Sequence, residues 1–360
     1  MNDIAIVTQD GETVHFECGM DEDVISAGLR QDVILMSSCR EGGCATCKAL
    51  CTDGDYELVR CTVQALPPEE EEQGFVLLCR TFPQSDLTLE VPYTSDRISS
   101  STAEREFFAE VQSIVPIASN AVQLTLRRRP TDVAGSAGGV MFEPGQFFDV
   151  QVPGSEQWRS FSPASLPNAE GSLEFLIRIL PDGLFSNYLR DVACPGDVVR
   201  VRGPSGSFYL RENGLQPRCF VAGGTGLAPV VAMVRQMLDR GDPHETRLYF
   251  GVNREEEVFY VQELFSLAEQ MPNLSVHVCV MSAGPEWQGQ HGTPVDALRR
   301  DLQQRCAAPD LYLCGPPSMI DATYEACIEL GIPVGNICTE KFLSSGPTNS
   351  EPKGISELSQ

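Results

Sequence analysis

Basic residues are scarce in this chain: 26 Lys and Arg stand against 50 Asp and Glu, a formal net charge of −24. That deficit argues against nucleic acid and anionic membrane as partners. Long hydrophobic runs are missing too. The longest, Phe75-Val76-Leu77-Leu78 and Val230-Val231-Ala232-Met233-Val234, fall far short of a bilayer span. No N-terminal basic–apolar–small pattern marks a signal peptide, so a soluble, cytoplasmic protein is expected. Histidine is rare, and His15, His244, His277 and His291 form no spacing pattern, which removes the case for a mononuclear metal site. No internal repeat is apparent.

Cysteine, in contrast, is plentiful, with 14 in 360 residues. Cys39, Cys44 and Cys47 stand in a C-x4-C-x2-C loop, and Cys79 follows 32 residues later. This is the ligand spacing of a plant-type [2Fe–2S] centre. Two irons bridged by two sulfides need four thiolates, and one tight loop supplies three only if its backbone wraps the cluster. Gly42 and Gly43 permit that path. A zinc site is the competing reading of Cys44-x2-Cys47, but zinc usually wants a second close pair, and Cys79 has none beside it. Cys51 and Cys61 lie between the third and fourth ligands and do not leave the expected loop length. The remaining cysteines read as reduced, mostly buried small hydrophobes.

Residues 4–18 alternate around the turn Gln9-Asp10-Gly11 and predict a hairpin. Asp23 is placed to cap a short helix running to Arg30. With the cysteine loop and strands at Lys48–Cys51, Phe75–Cys79 and 88–91, residues 1–95 form a small α+β unit. This quarter of the chain carries 18 acidic and 5 basic residues, densest at Asp21-Glu22-Asp23 and Glu69–Glu72. The run is either a solvated face or a docking surface for a basic patch on an electron acceptor. Residues 96–104 read as a Ser-rich linker. Short strands with Gly/Pro turns over 105–213 predict an antiparallel β-barrel interrupted by one helix, Leu184–Asp191. Strand–helix alternation over 214–345 predicts a parallel α/β domain, and 346–360 a disordered tail.

Arg159-Ser160-Phe161-Ser162 offers what a flavin needs: a guanidinium for phosphate, a ring to pack on the isoalloxazine, and hydroxyls for its ring nitrogens. A generic turn is the alternative, and two features downstream weigh against it. Arg178 is a cation in an otherwise apolar strand, an expensive placement without an anionic or π partner. Gly183-Leu184-Phe185-Ser186 opens the helix, whose N-terminus suits phosphate. Gly223-Gly224-Thr225-Gly226-Leu227-Ala228-Pro229 is a strand–turn–helix start that lets backbone N–H groups approach a pyrophosphate. Cys314-Gly315-Pro316-Pro317 ends a later strand at the ligand-binding edge of such a sheet. Cys314 is either a buried strand cysteine or a thiol beside the nicotinamide. Arg254 would favour a 2′-phosphate and Glu255-Glu256-Glu257 a free ribose hydroxyl; the reading is NADH.

Together these motifs resemble the flavin-dependent ferredoxin–NAD(P)+ reductase superfamily with an N-terminal plant-type ferredoxin domain. A closer likeness, to the reductase components of soluble methane monooxygenases, is carried by the residues 36–51, 64–72 and Glu340-Lys341-Phe342-Leu343. It covers residues 4–345. Phe161 departs from the family's usual Tyr. The resemblance implies a β-grasp ferredoxin domain and an oxidoreductase passing electrons from NADH through FAD to the cluster, then to a di-iron hydroxylase. It implies Arg159, Ser160, Phe161, Ser162, Arg178 and Ser186 around FAD, with Ser162, Cys314 and Glu340 lining the hydride-transfer site. A monomer is expected. The alternative is the reductase of an aromatic-ring dioxygenase or aromatic monooxygenase, with the same domain order.

Overall fold

The computed structural model describes residues 1–37, 40, 42–43, 45–59, 61–63, 65–95, 98, 106–130, 139–211, 214–304 and 308–342. Cys39 and Cys44, nearly all of the expected linker, and the expected disordered tail lie outside the described residues. Three main sheets are built from successive stretches of chain.

The first holds the expected hairpin, β1 (Asn2–Val7) and β2 (Thr13–Cys18). Helix α1 (Val24–Arg30) starts where Asp23 Oδ1 accepts the Ser26 N–H at 3.0 Å. Then come β3 (Lys48–Asp53), β4 (Tyr56–Leu58), the single turn α2 (Pro68–Glu71), β5 (Phe75–Leu77), β6 (Thr81–Pro83) and β7 (Leu87–Glu90). The sheet order is β2-β1-β7-β3-β5, with β7 parallel to β1, while β4 pairs with β6. Inward-facing Ile4, Ile6, Phe16, Val76 and Leu89 fill its core with Val24 of α1. Alternation is therefore enough to set which face is buried.

The second sheet comprises β8 (Glu106–Ala118), β9 (Ala121–Arg128), β10 (Phe147–Gln151), β11 (Trp158–Phe161), β12 (Ser172–Arg178) and β13 (Val198–Ser205), with α3 (Leu184–Asp191) before β13. All pairings are antiparallel in the order β11-β10-β13-β8-β9-β12, and a bridge from Pro163 to Phe175 brings the end strands together. The sequence leaves the local structure of Arg159–Phe161 open, with a generic turn as the alternative to a flavin site; the turn at 153–156 closes a hairpin that makes them strand, with Val150 opposite Arg159 and Phe148 opposite Phe161.

The third sheet is wholly parallel: β14 (Arg218–Gly223), α4 (Leu227–Arg240), β15 (Thr246–Val252), α5 (Val261–Gln270), β16 (Leu274–Val280), β17 (Gln290–His291), α6 (Pro294–Leu302), β18 (Asp310–Gly315), α7 (Pro317–Glu329) and β19 (Ile337–Lys341). Its order is β17-β16-β15-β14-β18-β19. All six residues of β14 and of β18 are buried, as central parallel strands covered on both faces must be. The second and third sheets share one core, where Ala121, Ala164 and Leu176 pack with Leu227 and Val230 of α4. Among the described residues no helix is long and apolar enough to cross a membrane.

Candidate functional site

A cleft of about 620 Å³ opens where the second and third sheets meet. β11 contributes Arg159, Ser160 and Phe161, followed by Ser162; β12 contributes Arg178; the entry to α3 contributes Gly183 and Ser186. Gly223, Gly224, Thr225 and Pro316 form the opposite wall, and Glu340, Lys341 and Phe342 close one end. Gly226, Pro229, Cys314 and Gly315 are not on the wall. They are packed behind it, and all four are buried.

The cleft is cationic in a strongly acidic protein. Arg40, Arg159, Arg178, Arg202 and Lys341 line it against Asp149 and Glu340. Arg202 is engaged, its Nε donating to buried Asp149 at 3.0 Å while its guanidinium lies 4.4 Å from the Trp158 ring centre. Ser160 donates to the other oxygen of Asp149. Arg159 is tied to Trp158 O and Gln157. Arg178 has no ion-pair partner among the described residues. It is also exposed, the last residue of β12, so the desolvation cost expected from its apolar strand does not arise. Phe161 stands 5.1 Å from the Phe185 ring, and Ser186 Oγ accepts the Leu180 N–H, fixing the turn before α3. Gly224 holds φ at +53° with nothing within 4 Å of where a Cβ would sit. A cationic, half-apolar groove with bare backbone at one wall fits a flavin dinucleotide facing a nicotinamide nucleotide.

At the end of the cleft, strand pairing sets Cys314 opposite Glu340. Ser162 Oγ donates to Glu340 Oε2 at 3.3 Å, and Cys314 Sγ lies 4.0 Å from the same oxygen. Ser162, Cys314 and Glu340 are 3%, 0% and 4% exposed, so the three groups meet out of bulk water. Burial, reinforced by the Glu340 charge, pushes the Cys314 thiol well above its ordinary range. It therefore stays protonated, a neutral donor rather than a thiolate.

The comparisons agree with this layout. Family models match for a 2Fe-2S iron-sulfur cluster binding domain over residues 7–84, an oxidoreductase FAD-binding domain over 124–209 and an oxidoreductase NAD-binding domain over 220–325. Methane monooxygenase component C of Methylosinus trichosporium is 49% identical over 84% of this chain and 87% of its own. The chain belongs to the monooxygenase reductase-component family of the ferredoxin–NAD(P)+ reductase superfamily. The toluate 1,2-dioxygenase electron transfer component of Pseudomonas putida is 34% identical over 95% of this chain and 98% of its own. Among solved structures, an Amycolatopsis cytochrome P450 reductase superposes with a TM-score of 0.77 at 28% identity, covering 94% of this chain and 98% of that one. The reductase is an NADH-dependent oxidoreductase that passes electrons through FAD and a [2Fe–2S] centre to a hydroxylase component.

Of the reductase's four expected cluster ligands, Cys47 and Cys79 are described, each 3% exposed. The Leu78 N–H donates to Cys47 O at 3.0 Å, which holds the two cysteine segments together. Buried cysteines on two segments joined by that hydrogen bond fit a cluster. Cys51, turned to Asp53 O, is used locally.

Arg254 is held between Glu256 at 3.3 Å and Glu257 at 3.4 Å, so its charge is largely answered within the protein, in keeping with NADH rather than a 2′-phosphate. Sequence reasoning missed Arg40, Trp158 and Arg202 as cleft residues. The alternation Val199, Arg200, Val201, Arg202 on β13 was the available signal for Arg202, since it predicts one buried and one solvent face.

Proposed function

We propose that this chain is the reductase of a methane or related short-alkane monooxygenase, delivering electrons to its di-iron hydroxylase. The observation that carries the acceptor is the 49% identity to methane monooxygenase component C over 84% of the chain. Residues 1–95 would be a β-grasp ferredoxin domain, 105–213 a closed FAD barrel and 214–345 the NAD domain. The reading is supported by the three sheets and by the Pro163–Phe175 bridge across the ends of the second.

When bound, FAD takes two electrons as a hydride and releases them singly to the cluster. The protein's part is placement. Arg178 and Arg159 would answer the flavin phosphates, and Phe161, backed by Phe185, would pack on the ring. The Gly223–Gly226 turn would admit the nicotinamide nucleotide beside Ser162. Ser162 Oγ, donating to Glu340 Oε2, supplies a proton path at that end, and the protonated Cys314 thiol keeps the carboxylate partnered without adding charge.

The acceptor would dock on the acidic face, narrowed to Glu69, Glu71 and Glu72. Glu70 is bound to Lys48, Glu22 pairs with Arg30 and Asp23 caps α1, so those charges are engaged internally. Cys18, Cys279 and Cys327, buried as thiols, suit a reducing compartment such as the cytoplasm.

Reconstitution tests the acceptor. The purified reductase is mixed with NADH and either a di-iron alkane hydroxylase or a ring-hydroxylating dioxygenase, and product is measured against NADH consumed. Coupled turnover with the hydroxylase alone is expected; equal or better coupling with the dioxygenase overturns the assignment.

A further inference from the structure

Arg40 belongs by sequence to the cluster loop, yet its side chain lines the flavin cleft. Its Nη2 donates to Ser205 Oγ at 3.4 Å, 165 residues away, and its guanidinium carbon lies 5.7 Å from the centre of the Phe147 ring. Beside it Ser207 Oγ donates to Ser37 O at 3.5 Å, so two neighbouring positions of the loop meet the segment after β13. The backbone at Arg40 is left-handed, φ +54°, a conformation that costs a non-glycine residue on the order of 1 kcal/mol and persists where the surroundings hold it. Its Nε is buried and, among the described residues, has no hydrogen-bond partner. A buried charged donor without an acceptor is expensive unless something in the cleft accepts from it.

We propose that Arg40 is a flavin-binding residue supplied by the ferredoxin unit, its Nε–H donating to an acceptor on the FAD while Nη2 holds Ser205. Flavin binding and seating of the cluster loop are then one coupled equilibrium. Each strengthens the other by the same factor. Among the described residues, Arg40 is the side chain that brings the one-electron carrier's loop into the flavin cleft, and the inference rests on the assignment of that cleft to FAD.

The test uses the full chain, with bound FAD titrated by flavin fluorescence and the cluster checked by iron content and visible absorption. Arg40→Ala is expected to raise the FAD Kd about tenfold or more, the loss of one charge-assisted hydrogen bond, and to speed amide exchange over residues 205–208. Arg40→Lys keeps the charge but not the forked donors, and is expected to weaken FAD binding while retaining the cluster; it decides the matter if Arg40→Ala fails to hold the cluster. Stripping FAD from the wild-type chain should speed exchange at residues 36–37. Arg178→Ala serves as the positive comparison and Arg190→Ala, exposed near the end of α3 and outside the cleft lining, as the negative one. Wild-type FAD affinity in both Arg40 variants, with weakened affinity in Arg178→Ala, overturns the role of Arg40 alone. Wild-type affinity in the Arg40 and Arg178 variants alike overturns the cleft assignment and the inference with it.

Discussion

Gly226→Ala is the substitution whose consequence is tied most directly to the geometry. A Cβ at this position would lie 2.4 Å from Cys314 O, 2.7 Å from Cys314 C and 2.8 Å from Gly315 Cα. None of these atoms is the end of a flexible side chain. Real contacts begin near 3.4 Å, so the glycine turn after β14 and the turn after β18 must part by about 1 Å. The second turn has no slack to give. A Cβ at Gly315 would itself stand 3.0 Å from Gly223 N and Cα, so the two turns interlock backbone against backbone. Overpacking of this kind costs about 1–3 kcal/mol, a factor of roughly 5 or more in the folded-to-unfolded ratio. For a unit of this size that is on the order of 5 °C in Tm. Because the moved turns carry Gly223, Gly224 and Pro316 of the cleft wall, KM for NADH should rise as well. Thermal unfolding followed by circular dichroism and flavin release gives the first number, and stopped-flow flavin reduction the second. Gly224→Ala is the comparison: its Cβ meets nothing within 4 Å, so the cost there is backbone strain at φ +53° without separation of the turns. A Gly226→Ala protein with wild-type Tm and wild-type KM for NADH refutes the interlock.

Ser162→Ala should slow flavin reduction by NADH about 10²-fold with little change in KM, and stopped-flow rates equal to wild type would remove Ser162 from the hydride-transfer end. Reversing Glu69, Glu71 and Glu72 to Lys should weaken hydroxylase reduction at low salt and flatten its salt dependence, while the same reversal at Glu70 breaks the Lys48 pair and acts on stability instead; a salt profile unchanged in the triple variant favours a merely solvated face. Asp301 sits in the nucleotide unit, where burial alone would raise its carboxyl, but donation from Tyr249 and Arg247 brings it below the ordinary range. Its folded value lies below the unfolded one, so its stability contribution is present above about pH 4 and lost as pH falls below that. Asp301→Asn should lower Tm at pH 7 and shrink the fall of Tm on acidification, and a variant with an acid limb as steep as wild type contradicts the account.

Legibility in the sequence divides along chain separation. Helix Leu184–Asp191 is legible to the residue and the strand–helix alternation of the third sheet as a pattern, because turns and apolar period act within a few positions. β19 is not. Five residues, with Cys338 buried beside Ile337 and polar side chains after it, do not announce a strand, and it exists because the open edge of β18 accepts it. That pairing alone brings Glu340 to Cys314 and, across 178 residues, to Ser162. The motif string at 159–162 shows the same limit from the other side: its chemistry is readable, but whether it is turn or strand is decided by β10 closing a hairpin on it.

Arg40 lies at the far end of the same divide, since two of its properties can be read only together. In sequence it is one residue of a cysteine loop, and the spacing of Cys39, Cys44 and Cys47 accounts for the loop without it. In space it is a cation in another unit's cleft, where among the described residues Nη2 has a partner and the buried Nε has none. A surface arginine with that stem would gain by turning its head to water. Holding it instead in a left-handed backbone beside Phe147 costs energy twice, in strain and in desolvation. Among the described residues, no ion pair of the ferredoxin unit answers either cost. An acceptor in the flavin cleft would answer both at once, which is why flavin affinity in Arg40→Ala, rather than turnover, is the measurement that separates a structural arginine from one that joins the two redox centres.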